Sequence, residues 1–337
     1  MAKKYKVLGL GKLSGANMDA EKKELSVVDA EIEVVDLRCR SEEELIAAVK
    51  DVDAIIGGGP FFNRRVMESM PKCLVISTYS VGYDTLDIDA ATENGIIVTN
   101  NPASEWCIEE VSNHAIALLL ASAKKLVLMN NLVKQGRWAD ARQTQAPMNS
   151  IHGQTLGLVG CGQIGRMTAR KAQCFGLRTI GYDPYLNKSV AEESGITLMT
   201  MSEVLTQSDF VSAHTFLSDE TTHLLGEKEF NQMKPNAFFI NTSRGKTVDE
   251  PALIKALQEK KIAGAGLDVF EKEPVNPDNP LLKMDNVITI PHTASYSDAA
   301  LIQQAINPAR EVARVLSGHW PNNPVNKTVK PRVELKK

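Results

Sequence analysis

The run Leu156-Gly157-Leu158-Val159 is apolar and short, as a buried strand is, and Gly160, Gly162 and Gly165 follow it in G-x-G-x-x-G spacing. A helix-like stretch comes next, then Arg178-Thr179-Ile180-Gly181-Tyr182, a second strand that ends in Asp183. Each part has a physical task in holding a dinucleotide. Gly160 permits the tight turn out of the strand, Gly162 lets backbone approach a pyrophosphate, and Gly165 lets helix pack on strand. The helix N-terminus then presents free N–H groups and a positive dipole end to the phosphates. Asp183 is placed to accept hydrogen bonds from the adenosine ribose. Its charge would repel a 2′-phosphate, and Pro184 and Tyr185 follow it rather than an arginine, which favours NAD over NADP.

Three further polar residues come just after apolar runs. Arg244 follows Phe239-Ile240-Asn241-Thr242-Ser243, Glu273 follows Gly266-Leu267-Asp268-Val269-Phe270, and His292 follows Val287-Ile288-Thr289-Ile290-Pro291. Each alone has a plain structural explanation: a surface arginine in a turn, a solvated glutamate, a histidine capping a strand. Together they are the set that hydride transfer to a keto acid needs. A cation holds carboxylate and carbonyl oxygen, a group titrating near neutrality gives the proton, and an acid orients that group.

Residues at strand ends need strands to hold them. Short apolar runs alternate with amphipathic segments along the whole chain. Strands are expected at Lys6–Leu10, Ile32–Asp36, Ala54–Ile56, Leu74–Ser77 and Ile96–Thr99, then at Leu156–Val159, Thr179–Tyr182, Thr197–Met199, Phe210–Ala213, Ala237–Asn241, Gly264–Val269 and Val287–Ile290. Ser41-Glu42-Glu43-Glu44 reads as a capping box and Asp249-Glu250-Pro251 as a capped helix start. Such alternation implies parallel sheets with helices on both faces, in two domains for 337 residues. Residues 103–149 read as helix plus extended arm, too apolar around Ile116 to Leu132 for one side to face water. Pro308 is expected to kink or interrupt the last helix.

Gly9-Leu10-Gly11 and Gly15 imitate a second dinucleotide loop, but the third glycine comes one position late. The following Asn17 to Glu24 is too polar for a helix packed on a sheet, so a flexible loop is expected there. The net charge of −3 gives no reason to expect nucleic acid or an anionic membrane as partner. No signal peptide or membrane span is read from the sequence. Five cysteines without a C-x-x-C pair suit reduced thiols in the cytoplasm and speak against a structural metal site.

Over nearly its whole length the chain resembles the D-isomer-specific 2-hydroxyacid dehydrogenase family. Gly160-Cys161-Gly162-Gln163-Ile164-Gly165 is similar to the family's cofactor loop, and Asn241-Thr242-Ser243-Arg244-Gly245 to its arginine segment. Gly266 to Pro274 is similar to its glutamate segment and Pro291-His292-Thr293-Ala294-Ser295 to its histidine segment. The resemblance implies two doubly wound parallel-sheet α/β domains. One is a flavodoxin-like substrate domain of residues 1–101 plus 298–337. The other is a Rossmann NAD-binding domain of residues 102–297, with a dimerisation segment at 103–149. It implies His292, Glu273 and Arg244 as catalytic residues. It gives NAD to Gly160, Gly162, Gln163, Ile164, Gly165, Asp183, His214, Thr242 and Asp268, the last on the nicotinamide side. It gives the substrate carboxylate to Arg244 and to the backbone of Ser80, Val81 and Gly82. The expected partners are a small 2-keto or 2-hydroxy acid and a second copy of the chain.

Glu105 to Val111 and Pro291 to Ser297 look most like the C-terminal binding protein branch, with two departures. Ser295 stands where that branch commonly has tryptophan, and Phe216 where the family commonly has proline. A corepressor-like NAD-sensing scaffold is therefore the alternative from another class; the near-neutral charge and short tail speak against it. A third reading is a related dehydrogenase acting on formate or phosphite; the resemblance puts glutamine in formate dehydrogenases where Glu273 stands, which disfavours it. The keto acid itself stays open among glyoxylate, hydroxypyruvate, pyruvate-like and phosphorylated or sulfonated three-carbon acids.

Overall fold

The computed structural model describes residues 4–10, 18–59, 61–101, 105–144, 148 and 150–337. Gly11 and Gly15 of the N-terminal glycine pattern, the flexible loop expected around them, and both ends of the 103–149 segment lie outside the described residues. The chain divides into two compact units, one of residues 1–106 and 297–337 and the other of residues 107–296.

The first unit holds β1 (Lys4–Leu10), β2 (Glu31–Leu37), β3 (Ala54–Gly57), β4 (Val75–Ser77) and β5 (Ile97–Thr99). All pair in parallel, in the order β2-β1-β3-β4-β5. Leu8, Ile55, Ile76 and Val98 fill one face of this sheet. Val7, Ile56, Val75 and Ile97 fill the other, under the returning helix Asp298–Leu316 with its buried Ala309, Val312 and Val315. Strands buried on both faces read as continuous apolar runs, which is why these were recognisable.

One expectation fails in this unit, and half of another. A helix does form at Asp19–Leu25, and it packs against the helix Asp298–Leu316. Met18, Glu21 and Leu25 share its inward stripe and are all buried. Glu21 counts as polar in a sequence, yet it accepts a hydrogen bond from the Tyr79 hydroxyl at 3.1 Å, which offsets part of its burial cost. Pro308 does not interrupt the last helix, which runs from Asp298 to Leu316 with Pro308 buried inside it. Proline removes one backbone hydrogen bond, and burial of the flanking turns in the core compensates for it.

The second unit holds β6 (Thr155–Val159), β7 (Arg178–Tyr182), β8 (Thr197–Leu198), β9 (Phe210–Ala213), β10 (Phe238–Asn241), β11 (Gly264–Leu267) and β12 (Val287–Thr289). They form one parallel sheet in the order β12-β11-β10-β9-β6-β7-β8. The order reverses between β6 and β9, and open α/β sheets bind ligands at the carboxyl ends of strands flanking such a reversal. Residues 105–144 form no extended arm. They form the helices Glu105–Ala123, Leu126–Lys134 and Trp138–Gln143, separated where Lys125 and Gly136 take left-handed backbone at φ of 50° and 75°. The first buries Ala115, Ile116, Leu118 and Leu119 against the sheet. No single helix among the described residues is long and apolar enough to cross a membrane.

Candidate active site

The turn after β6 is built as its glycines require. Gly160 has φ of 90°, and a β-carbon there would stand 2.9 Å from the His214 carbonyl carbon, on the neighbouring β9 turn. A β-carbon at Gly165 would collide with the Gly160 carbonyl oxygen, so this glycine seats the helix Gln163–Cys174 on its strand. Gly162 differs: a β-carbon there would meet no protein atom within 4 Å. Its glycine serves no protein neighbour, and no side chain caps the helix that Gly162 opens. Gln163, Ile164 and Gly165 thus offer first-turn N–H groups at the switch point, a site suited to phosphate.

Asp183 is more occupied than a ribose acceptor alone would be. Its Oδ2 accepts from the Cys161 N–H at 2.9 Å and its Oδ1 from the N–H groups of Tyr185 and Leu186 at 3.0 and 3.1 Å. It ties the glycine loop to the end of β7. A carboxylate has about four lone-pair sites, so capacity for a further donor is left.

Beyond β9 and β10 sit His214 and Thr242. Burial pushes the His214 imidazole down to about 4, so it is neutral near pH 7, and its Nε2 lies 2.9 Å from the Ser212 hydroxyl. The hydroxyls of Thr215 and Thr242 are buried and lack a hydrogen-bond partner among the described residues. Buried hydroxyls without partners are costly. These two, with the bare Gly162 backbone and the uncapped helix, fit a dinucleotide lying along this edge of the sheet. Thr215 was not singled out in the sequence; its only signal was its place after His214.

Arg244 follows β10 in a tight turn. Its carbonyl accepts from Asn241 Nδ2 at 3.0 Å and Thr247 Oγ1 at 2.7 Å. A β-carbon at the next residue, Gly245, would collide with the Phe270 carbonyl, so this turn lies directly on the segment leading to Glu273. Glu250 and Glu271 lock the two segments by exchange: each backbone N–H donates to the other's carboxylate, at 3.2 and 3.0 Å.

Glu273 Oε2 lies 2.7 Å from His292 Nδ1, and Glu273 Oε1 accepts from the Phe270 N–H at 3.0 Å. Burial alone would raise the Glu273 carboxyl. The hydrogen bonds from His292 and Phe270 and the nearby charges of His292 and Arg244 outweigh it and hold the group below its ordinary range. His292 is raised above 6.5, first by its hydrogen bond to Glu273, then by the charges of Glu273 and Asp268, against burial and the Arg244 charge. Arg244 thus acts electrostatically on both members of the pair, and the three residues form one cluster.

His292 itself has φ of 54°, in the left-handed region. Asp268, just past β11 and 1% exposed, holds it there. The Asp268 carbonyl accepts from the His292 N–H at 2.8 Å, and its carboxylate accepts from the N–H groups of Thr293 and Ala294 at 2.8 and 3.0 Å. Asp268 therefore braces the histidine turn, a task that leaves no mark in the residue types around it. Ser80, Val81 and Gly82 lie in the other unit, the first two exposed and Gly82 half-buried. Their carbonyls accept from Asn101 N–H, Asn100 Nδ2 and Ser80 Oγ. What this loop has left for an anion is its N–H groups.

The likeness of the chain to known proteins shows its family. The family described as "D-isomer specific 2-hydroxyacid dehydrogenase, NAD binding domain" matches residues 116–294. The chain is 41% identical to a glyoxylate reductase from Korarchaeum cryptofilum over 292 residues, 86% of this chain and 87% of that one. This chain belongs to the D-isomer-specific 2-hydroxyacid dehydrogenase family. It is 38% identical to a D-3-phosphoglycerate dehydrogenase from Methanocaldococcus jannaschii, covering 88% of this chain and 56% of that longer one. It superposes with a TM-score of 0.83 on the NADPH-dependent glyoxylate/hydroxypyruvate reductase of Sinorhizobium meliloti, solved with NADP and malonate. Identity there is 30%, covering 98% of this chain and 99% of the other. The protein is an oxidoreductase acting on the CH–OH group of 2-hydroxy acids, and its cofactor is a nicotinamide dinucleotide. These relatives lend nothing to the corepressor-like alternative.

Proposed function

We propose that this dehydrogenase reduces a small 2-keto acid of the glyoxylate or hydroxypyruvate class with NADH, using His292 as proton donor. The observation that carries the reading is the 2.7 Å pair of His292 and Glu273 beside the Arg244 charge. The nicotinamide supplies the hydride. His292, as imidazolium, gives its proton to the oxygen of the reduced carbonyl. Glu273 orients the ring through Nδ1, which leaves Nε2 to face the substrate, and it favours the charged form. Arg244 binds the carboxylate and stabilises negative charge developing on the carbonyl oxygen. The N–H groups of Ser80, Val81 and Gly82 are proposed to bind the carboxylate as well. For oxidation, neutral His292 takes the proton back.

Gly160, Gly162, Gln163, Ile164, Gly165, Asp183, His214 and Thr242 are proposed to hold the cofactor. Asp183 supports NADH over NADPH because its carboxylate stands where a 2′-phosphate would come. The relative solved with NADP makes this preference a property to measure in this chain rather than to take from the family. Asp268 is proposed to serve the nicotinamide side chiefly by fixing the His292 turn.

Two properties of the whole protein complete the proposal. A homodimer is supported by Leu126, Val127, Val133 and Trp138, which are 54%, 42%, 41% and 65% exposed on consecutive helices. A cytoplasmic location is supported by five cysteines that are all free thiols, three of them buried.

The test is a panel of 2-keto acids assayed with NADH and with NADPH. Turnover of glyoxylate or hydroxypyruvate, faster with NADH, is expected. Equal rates with both cofactors would remove the role given to Asp183. Activity confined to phosphorylated acids would move the substrate class.

A further inference from the structure

One buried polar atom of this cluster is explained neither by the fold nor by the proposed chemistry. His114 Nε2, on the helix Glu105–Ala123, is buried and has no hydrogen-bond partner among the described residues. It lies 3.8 Å from Asp268 Oδ1, too far for a hydrogen bond and close enough to become one with a small shift.

The helix is laid so as to make this approach. Cys107, Val111, His114 and Leu118 follow at steps of four, three and four and so share one stripe. Cys107 and Val111 pack with Ala294, in the turn after His292. At the other end, a β-carbon on Gly266 would stand 3.0 Å from Leu118 Cβ, so it is the absence of a side chain in β11 that lets the helix come this near. Four residues of helix rise about 6 Å. Two residues of strand rise about 6.6 Å. With Leu118 over Gly266, His114 therefore falls over Asp268. Asp268 already accepts two N–H groups from the turn carrying His292, and its carbonyl accepts the N–H of His292 itself.

We propose that His114 is a positioning residue: its Nε2–H is the third donor to the Asp268 carboxylate, and through Asp268 it fixes the turn that holds His292. A 1% exposed carboxylate with two donors keeps unused acceptor capacity. A third donor, brought from a different element, ties the helix to the turn, and it costs the helix nothing because the imidazole is already there. The histidine turn sits at positive φ, a conformation that persists only where its surroundings over-determine it. His114 touches neither substrate nor cofactor in this account. The inference rests on His292 being the proton donor.

The test compares His114→Gln, His114→Asn and His114→Leu by steady-state reduction of the best keto acid with NADH, together with NADH affinity and melting temperature. The Gln amide nitrogen reaches where Nε2 stands; the Asn amide falls one bond short; Leu fills space and donates nothing. The Gln variant is expected to stay within about threefold of wild-type kcat. Asn and Leu are expected to lose roughly tenfold, the low end of what losing the outer partner of a metal-bound histidine costs, with NADH affinity and melting temperature unchanged. If Leu does not fold, the Gln–Asn contrast carries the test. Equal kcat in all variants, or losses that follow melting temperature or NADH affinity instead of the donor's reach, overturn the proposal. A His292→Ala variant assayed alongside separates the two readings: if it keeps its kcat, the proton-donor reading fails, whatever His114 does.

Discussion

His292 and Glu273 set the pH behaviour of the reaction. The folded pKa of His292 is raised above 6.5, chiefly by the Glu273 hydrogen bond. Reduction needs the imidazolium, so its rate should hold past pH 6.5 and fall as pH rises through the raised value; oxidation should show the opposite limb. By linkage, the same raised pKa stabilises the folded state below the unfolded value, and that contribution is lost as pH climbs through the folded one. Glu273→Gln keeps an acceptor at Nδ1 and removes the charge. The basic limb of kcat/KM should then move to lower pH, with kcat at pH 7 down by about tenfold. A limb that stays in place would mean another group titrates there. Arg244, Glu273 and His292 were legible as a trio because each follows an apolar run. Asp268 was legible only as a family position, because two backbone donors brought to a carboxylate by a turn leave no mark in a sequence. His114 left less still: a lone histidine in an apolar helix carries no sign of what lies across from it.

At the scale of elements, the strand–turn–helix at Val159 to Cys174 separates two reasons for glycine. Gly165→Ala would force a β-carbon into the Gly160 carbonyl and should cost about 1–3 kcal/mol of stability together with cofactor binding. Gly162→Ala meets no protein atom, and its backbone, at φ of −63°, suits alanine. It should leave the melting temperature unchanged and weaken NADH roughly tenfold, ~1.4 kcal/mol. Thermal unfolding beside NADH titration by fluorescence tests the pair; a Gly162→Ala protein that binds NADH normally would mean the pyrophosphate does not approach there. All twelve strands among the described residues were readable: β3, β4, β6 and β9 to β11 because burial along their whole length makes each a short unbroken apolar run, and β2, which is exposed to half-buried, because its apolar residues alternate with glutamates. A helix was less legible where one of its buried residues is charged, as at Glu21. The capping box shows a similar limit. Ser41 Oγ accepts from the Glu44 N–H as expected, but the Glu44 carboxylate reaches past Ser41 to the Arg40 N–H.

For the whole molecule, the apolar surplus of residues 116–132 resolves into two parts. Ile116, Leu118, Leu119 and Leu132 are buried within their own unit, while Leu126, Val127, Val133 and Trp138 keep much of their surface exposed. The sequence showed the surplus without showing which residues the unit's own core would use. Sedimentation should give a dimer at micromolar concentration, and Leu126→Asp with Trp138→Asp should shift it toward monomer, because charge on a buried apolar contact is not compensated. A wild-type monomer would require these side chains to face water. Saturating cofactor should also raise thermal stability, by about 2.7 kcal/mol at a hundredfold excess over Kd.

The central claim is that His292 carries the proton while other groups hold the cofactor. Its most direct test is the kcat of His292→Ala for reduction of the best 2-keto acid, measured beside the Kd for NADH. General acid catalysis supplies about 10²–10⁴-fold, so kcat should fall by that much while NADH binds as tightly as to wild type. A variant that turns over at the wild-type rate, or one that loses activity only because it no longer binds NADH, would contradict the account.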